Sequence, residues 1–439
     1  MSAAEDLTFL ATTDHAGITR GRAIPRRAFE TDPGRTVGWV PANISLTPFD
    51  VIADPNPWGS RGDLRLLPDP AARFSAHPPG AATPLDLVMC DIVETDGTPW
   101  CACPRTFLKD ALLRLRDLAG FSLCVAFEHE FRILGAGWAA APVFSLAALR
   151  RADPFGPELT AALAEAGLGP ETFIAEYGRD QFEVTVAPAD GLAASDAAVA
   201  VRETTRELAR LRGWRASFAP KTEPAGVGNG VHVHLSLVDA EGRPATYDAG
   251  RPGRLSRPAG AFAAGVLRHL PALAALTAPS PVSYLRLVPH HWSSAWTWLG
   301  ERDREASLRI CPTVTLGGRD PAPQLNLEYR AADACACPHL ALGAIVRAGL
   351  EGLLADLPDP PLVEGDPALL DPAVLERLGL RRLPGSLPEA LDALLADPLA
   401  RAWQHPEALE SYLGTKRAEL RLVETLAADA LCARYAEVY

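Results

Sequence analysis

The chain has 439 residues, with 42 Lys+Arg against 54 Asp+Glu and a net charge of −12. That balance excludes a general nucleic-acid or anionic-membrane binder, whose phosphate affinity comes from clustered Lys and Arg. A hydrophobic fraction of 48% with 22% charged residues excludes a disordered chain and fits a globular protein, long enough for about two or three domains.

The chain opens on MSAAEDLTFL, which lacks a basic start followed by an apolar core, so no secretory leader is expected and the first residues read as helix-like. Short β-rich pieces follow at 36–40, 63–67 and 87–94, and Asp96-Gly97 predicts a hairpin turn after the last. Residues 41–62, rich in Pro, Asp and Asn, read as a long loop. A boundary near residue 100 divides the chain into domains at 1–99 and 100–439. A helix starts at Pro104 and covers 107–118. Beyond it, strands alternate with amphipathic helices. One is 196–212, where Ala197, Val201, Thr204, Leu208 and Leu211 share a face; the others are 340–354 and 406–439. The charge-free runs 133–149 and 269–285 are broken by proline and do not read as membrane spans. Eight cysteines without a CxxC pair fit reduced thiols in a cytoplasm, with Cys101/Cys103 and Cys335/Cys337 as small buried residues. No GxGxxG or GxxxxGK[ST] stands between a strand and a helix, which argues against Rossmann and P-loop nucleotide sites.

Four segments share a period-two pattern with a polar face. In 121–134, Leu123, Val125, Phe127, Phe131 and Ile133 oppose Glu128, Glu130 and Arg132. In 182–186, Phe182, Val184 and Val186 oppose Glu183 and Thr185. In 231–237, Val231, Val233, Leu235 and Leu237 alternate with His232, His234 and Ser236. In 325–330, Leu325, Leu327 and Tyr329 oppose Asn326, Glu328 and Arg330. For any one strand, a solvated sheet face accounts for the pattern. As neighbours in one sheet, the four bring Glu128, Glu130, Glu183, His232, His234, Glu328 and Arg330 onto one wall. Like charges there repel unless a cation lies between them. Ligation rich in carboxylates and free of sulfur suits Mg²⁺ or Mn²⁺ rather than structural zinc. Arg286, Arg304, Arg309 and Arg330 lie in or beside predicted strands and match carboxylates and phosphates bidentately. Divalent metal and arginine together equip a site for ATP phosphates.

Five ordered blocks then resemble the glutamine synthetase family over nearly the whole chain. FEHEFRIL is similar to its first metal strand, and EYGRDQFEVTVAP to the segment giving two more carboxylates. FAPKTEPAGVGNGVHVHLSL resembles the Lys-Pro and Gly-x-Gly-Met-His-x-His region. SPVSYLRLVPHHWSSAWTWLGERDREASLRICP resembles the Asn-Ser-Tyr-Lys-Arg-Leu through Asn-Arg-Ser-x-x-x-Arg block. NLEYRAADACACPHLALGAIVRAGLEG resembles the Glu-x-Arg-x-x-Asp signature. RLLPDP and GRAIPRRAF add weaker upstream matches. The resemblance implies an α+β chain: a small N-terminal β-grasp-like domain, then a catalytic domain with a curved antiparallel sheet flanked by helices.

Carried over by position, the resemblance implies Glu130, Glu176 and Glu183 on the metal of the substrate side, and Glu128, His232 and Glu328 on the metal of the nucleotide phosphates. Two or three Mg²⁺ or Mn²⁺ ions per site are expected. His234 and Ser236 would sit by ATP, Arg304 and Arg309 on its phosphates, and Arg286 and Arg330 on glutamate, with Gly228 in the loop over it. Asp50 or Asp54, from a neighbouring subunit, would take the proton of the incoming amine. Where ammonia-using members close the site with a flap Glu, this chain has Trp292, which with His290, His291, Trp296 and Trp298 would form an aromatic rim. Other departures are Val227, Asp303 and His339. The expectation is a γ-glutamyl–amine ligase acting on glutamate and a small organic amine, in a homododecamer of two hexameric rings with sites between subunits. A glutamine synthetase using ammonia and a catalytically silent relative are the alternatives.

Overall fold

The computed structural model describes residues 5–439. The chain begins with a hairpin of β1 (Leu7–Thr13) and β2 (Thr19–Pro25), followed by α1 (Arg26–Thr31), β3 (Val37–Trp39), β4 (Leu64–Ala76) and β5 (Leu85–Glu94). Their order is β2-β1-β5-β4-β3, with β1 and β5 parallel and the other pairs antiparallel. This is the β-grasp-like sheet the resemblance implies. The helix-like start is corrected to a strand for the described residues from Leu7 onward. In β1, Leu10 packs into one apolar cluster and Ala11 into another, so both faces are covered and no alternation marks the strand. The piece at 63–67 continues past a register shift between Pro68 and Arg73, where proline has no N–H for the ladder. The long loop contains a 3₁₀ turn, Pro41–Ser45. The expected turn closes at Gly97, with Glu94 N–H donating to Thr98 O at 2.8 Å.

The chain continues through α2 (Pro104–Ala119), β6 (Ser122–Leu134), α3 (Leu146–Arg150), α4 (Phe155–Glu165), β7 (Pro170–Ala175), β8 (Gln181–Val186), β9 (Ala189–Asp190) and α5 (Gly191–Arg210). Next come β10 (Arg215–Ser217), β11 (Val231–Val238), α6 (Arg257–Thr277), α7 (Ser283–Arg286), β12 (Leu299–Glu301), β13 (Leu308–Ile310), β14 (Leu327–Tyr329) and α8 (Pro338–Leu354). The last helices are α9 (Pro372–Leu378), α10 (Leu387–Ala396), α11 (Pro398–Arg401), α12 (Pro406–Val423) and α13 (Ala428–Ala436). The single helix expected over 406–439 is therefore two. The chain folds back so that Cys432, Tyr435 and Tyr439 are buried, with the Tyr435 hydroxyl donating to Glu419 and that of Tyr439 to Ala16 O.

The second sheet has nine strands in the order β12-β13-β14-β11-β6-β8-β7, with β9 and β10 also paired to β6. In β6, every second residue from Leu123 to Ile133 is buried. That side enters the main core with α5, α6 and α8, and the opposite side carries Glu128, Glu130 and Arg132. Helices α6 and α8 approach closely because Gly265 faces Gly352: a Cβ on Gly265 would lie 2.7 Å from Gly352 N. Helix α6 is long and apolar enough to cross a membrane, but 83% of its apolar window is buried in this core. Arg105, at the start of α2, ties the N-terminal sheet to helix α5. It is 2% exposed and pairs with Asp69 of β4 at 2.7 Å, Asp91 of β5 at 3.1 Å and Asp196 of α5 at 2.8 Å. His339 donates to or accepts from the same Asp196 at 2.8 Å, so this departure from the family pattern lies in the buried network.

Candidate active site

The registers of β6, β8, β11, β13 and β14 set the polar residues opposite one another. His232 faces Glu128, Glu183 faces Glu130, and Glu328 stands between His234 and Arg309. His232 Nδ1 lies 2.7 Å from Glu128 Oε1 and 3.6 Å from Glu328 Oε1. Ligand atoms of Glu128, His232 and Glu328 all fall within 4.8 Å of one another, a nitrogen and two carboxylate oxygens around one point. This donor set suits a hard divalent cation.

Glu130 and Glu183 adjoin that trio. Glu130 Oε2 accepts Gly230 N–H at 2.6 Å, and Glu176, in the bend after β7, accepts Tyr177 N–H at 3.1 Å. Burial first, then the charges of Glu128, Glu130 and Glu176, push the Glu183 carboxyl up to about 10. Burial and Glu130 also raise Glu176. Burial opposes ionisation of Glu128 too, but its hydrogen bonds to His232 and His234 outweigh it and hold that carboxyl well below the usual range. Burial likewise opposes ionisation of Glu328, yet Arg330, His232, His234 and Arg309 bring it down to about 2. The Glu183 side of the wall thus lacks positive charge while the Glu328 side has it, and a dication between Glu183 and its neighbours fits.

The sign follows for pH. Glu183 holds its proton more tightly folded than unfolded, so the metal-free protein loses stability as pH rises from 4.5 toward about 10. Excess Mg²⁺ is therefore expected to raise the melting temperature more at about pH 8 than at about pH 5. Equal increments in a thermal-shift series would remove the carboxylate crowding from the account.

The arginines form the rim. Arg286, expected in or beside a strand, lies on the short α7, and its Nη2 donates to Ala332 O at 2.7 Å. Gly228 makes room for it: a Cβ there would lie 2.9 Å from Arg286 Cδ. At Gly230 a Cβ would meet His232 Nε2 at 2.9 Å. Arg309 Nη1 donates to Glu328 Oε2 at 2.7 Å, and Arg330 donates to Glu328 and, through Nη2, to Trp292 O at 3.2 Å. The Nε groups of Arg286, Arg309 and Arg330 are buried without a partner among the described residues, so three guanidinium groups retain unused donors. Arg304 is exposed in the turn between β12 and β13. His234 Nδ1 lies 2.9 Å from Asn326 Oδ1, and Ser236 Oγ donates to Leu325 O at 3.0 Å.

The two expected proton acceptors have their partners away from this wall. Asp50 pairs with Arg20 at 3.0 Å, and Asp54 O accepts Arg421 Nη2 at 3.1 Å. Trp292 is 70% exposed, but the aromatic rim is corrected: Trp298 is buried with Ala306, Val363 and Leu380, and half-buried Trp296 lies beneath the Arg382 guanidinium at 5.1 Å. Three further residues escaped the sequence reading. Cys311 Sγ lies 3.5 Å from Glu328 Oε2, and its place two residues after Arg309 signals the same face. Lys221 Nζ donates to Gly226 O at 2.5 Å, and Gln181 Nε2 donates to Gly228 O at 2.8 Å, together fixing the glycine loop.

Two family models match the chain, the glutamine synthetase N-terminal domain over residues 3–100 and the glutamine synthetase catalytic domain over residues 101–435. The chain belongs to the glutamine synthetase family, a class of carbon–nitrogen ligases that use ATP and divalent metal. Among curated relatives, it is 37% identical to the gamma-glutamylpolyamine synthetase GlnA3 of Streptomyces coelicolor, over 97% of this chain and 92% of that protein. It is 32% identical to a glutamine synthetase of Thermococcus kodakarensis, over 89% of this chain and 84% of that one. Among solved structures, a crystal structure described as a novel glutamine synthase homolog superposes with a TM-score of 0.92 at 50% identity, covering 99% of both chains. A GmaS/ADP complex superposes with a TM-score of 0.81 at 25% identity, covering 97% of this chain and 95% of that one.

Proposed function

We propose that the chain is an ATP-dependent, ADP-forming ligase that joins the γ-carboxylate of glutamate to a small organic amine. The observation that carries this reading is the wall of Glu128, Glu130, Glu183, His232 and Glu328, bordered on its Glu328 side by guanidinium groups with unused donors. Mg²⁺ or Mn²⁺ bound there, as two or three ions, supplies charge neutralisation at the nucleotide phosphates. Glu128, His232 and Glu328 hold the nucleotide-side ion, and Glu130, Glu176 and Glu183 the substrate-side one. His234 and Ser236 face the nucleotide, and Arg304 and Arg309 take its phosphates. Arg286 and Arg330 grip the carboxylates of glutamate beneath the Gly228 loop. A γ-carboxylate oxygen attacks the terminal phosphorus, the bond to ADP breaks, and γ-glutamyl phosphate forms. The amine nitrogen then attacks the acyl carbon, inorganic phosphate leaves, and Asp50 or Asp54 of a neighbouring subunit takes the amine proton.

An organic amine is favoured by Trp292, an exposed indole where a carboxylate would serve ammonium, and by the likeness to a gamma-glutamylpolyamine synthetase. The assembly read here is a homododecamer of two six-membered rings, which would bring the N-terminal loop of one subunit to the catalytic wall of the next. Eight unpaired cysteines suit a cytoplasmic setting. Phosphate release from ATP with glutamate and Mg²⁺ is expected to require an amine, with methylamine, ethanolamine or putrescine outperforming ammonium. Turnover with ammonium alone would make the chain a glutamine synthetase, and none with any acceptor would make it a silent relative.

A further inference from the structure

The segment after α7 folds over the catalytic wall without regular structure, and two of its residues, His290 and Trp292, have φ of 64° and 54°. Non-glycine residues keep that left-handed conformation only where neighbours enforce it. Here the enforcement comes from Glu305: its Oε2 accepts His290 N–H at 3.0 Å and its Oε1 accepts Trp292 N–H at 2.7 Å. Trp292 is held on both sides of its Cα, because its carbonyl takes the Arg330 Nη2 donor at 3.2 Å. Ser293 Oγ adds a bond to Arg286 O at 2.5 Å. Glu305 is itself held by two hydrogen bonds. Glu305 N–H donates to Asp303 Oδ1 at 2.9 Å, and the buried Trp298 indole donates to Glu305 O at 3.2 Å. Glu305 also follows Arg304 directly, so one short turn carries both the guanidinium assigned above to the phosphates and the support of the Trp292 segment.

We propose that Glu305 is a positioning residue that latches the Trp292 segment over the acyl phosphate, tying closure of the amine pocket to the turn that carries Arg304. This rests on the ligase reading above. A carboxylate accepting two backbone N–H groups is a charge-assisted, two-point support that fixes the direction of the intervening peptide. With the segment closed, water is kept from γ-glutamyl phosphate and Trp292 is held where the amine enters. With it loose, the intermediate is open to hydrolysis and the amine meets a disordered wall.

The test uses the full-chain enzyme with Glu305→Ala and Glu305→Gln. Glutamine keeps one acceptor oxygen but presents NH₂ to the second backbone N–H, so it should restore part of the function. Glu305→Ala is expected to raise the amine KM by about tenfold, leave the KM for ATP within about twofold, and release more phosphate than amide formed. Hydrogen exchange at the His290 and Trp292 amides should accelerate in Glu305→Ala and less in Glu305→Gln. Unchanged exchange at both amides, or equal losses toward ATP and amine, would overturn the latch. Should the wild type consume no amine, the ligase reading falls, and the exchange rates, which need no turnover, still decide whether Glu305 holds the segment.

Discussion

Glu328→Ala is expected to abolish turnover and to destabilise the protein by about 3–5 kcal/mol, the usual cost of removing one partner from a buried ion pair. Glu328 is 1% exposed and serves three neighbours at once. It accepts from Arg309 at 2.7 Å and from Arg330, and lies 3.6 Å from His232. Without it, two guanidinium groups that already have unpartnered Nε atoms lose their counter-charge in the interior. The Glu128, His232 and Glu328 cluster loses an oxygen as well, and under the proposed ligase reading activity should fall by more than about a hundredfold. The pH dependence has a definite sign. Its folded carboxyl sits near 2, below the ordinary 4.5, so its stabilisation is fully present above pH 4.5 and is lost as pH falls through about 2. Denaturant unfolding should show the gap between wild type and variant closing toward that acid limit. A variant as stable as the wild type at neutral pH would refute the central place given to this residue.

Glu183→Gln should do the opposite to stability and the same to activity. Glu183 is 7% exposed, and burial and three neighbouring carboxylates push its carboxyl up to about 10. In the metal-free protein at neutral pH, the amide removes a group that folding must either keep protonated or pay to ionise. A gain on the order of 1–3 kcal/mol is expected, disappearing below pH 4.5, where the carboxyl is protonated in both states. Mg²⁺ should reverse the ranking, because the wild type gains from the ion and the variant does not. Glutamate-dependent phosphate release should fall to background. A less stable metal-free variant would mean that the carboxylates are not crowded against one another.

The strand faces were readable because alternation survives wherever one side of a sheet is covered and the other carries chemistry. Glu128, Glu130, Glu183, His232, His234 and Glu328 were all visible for that reason, and β-pairing then set them opposite one another. Three features carry no such period. Glu176 follows β7 in a bend, so only the family resemblance pointed to it. Arg286 was expected in or beside a strand, yet a one-turn helix carries it. In β1, Leu10 and Ala11 face different cores, and a strand buried on both sides leaves no polar beat to read. Trp298 shows the reverse error: tryptophans clustered in sequence suggested a shared surface, but the indole that anchors Glu305 points inward.

Glu128 and Glu130 are successive outward residues of one strand, so their backbone positions are separated by roughly 6.6 Å, two steps of extended chain. The pleat therefore acts as a caliper between the two carboxylates, and so, on the proposed ligase reading, between the nucleotide end of the wall and its substrate end, and no rotamer choice resets it. One residue inserted between these two glutamates would turn a carboxylate toward the helix-covered side beside Phe127 and His129, while the other stayed put. Substitutions can tune what each end grips, but the span that a phosphoryl group must cross is inherited from the main chain.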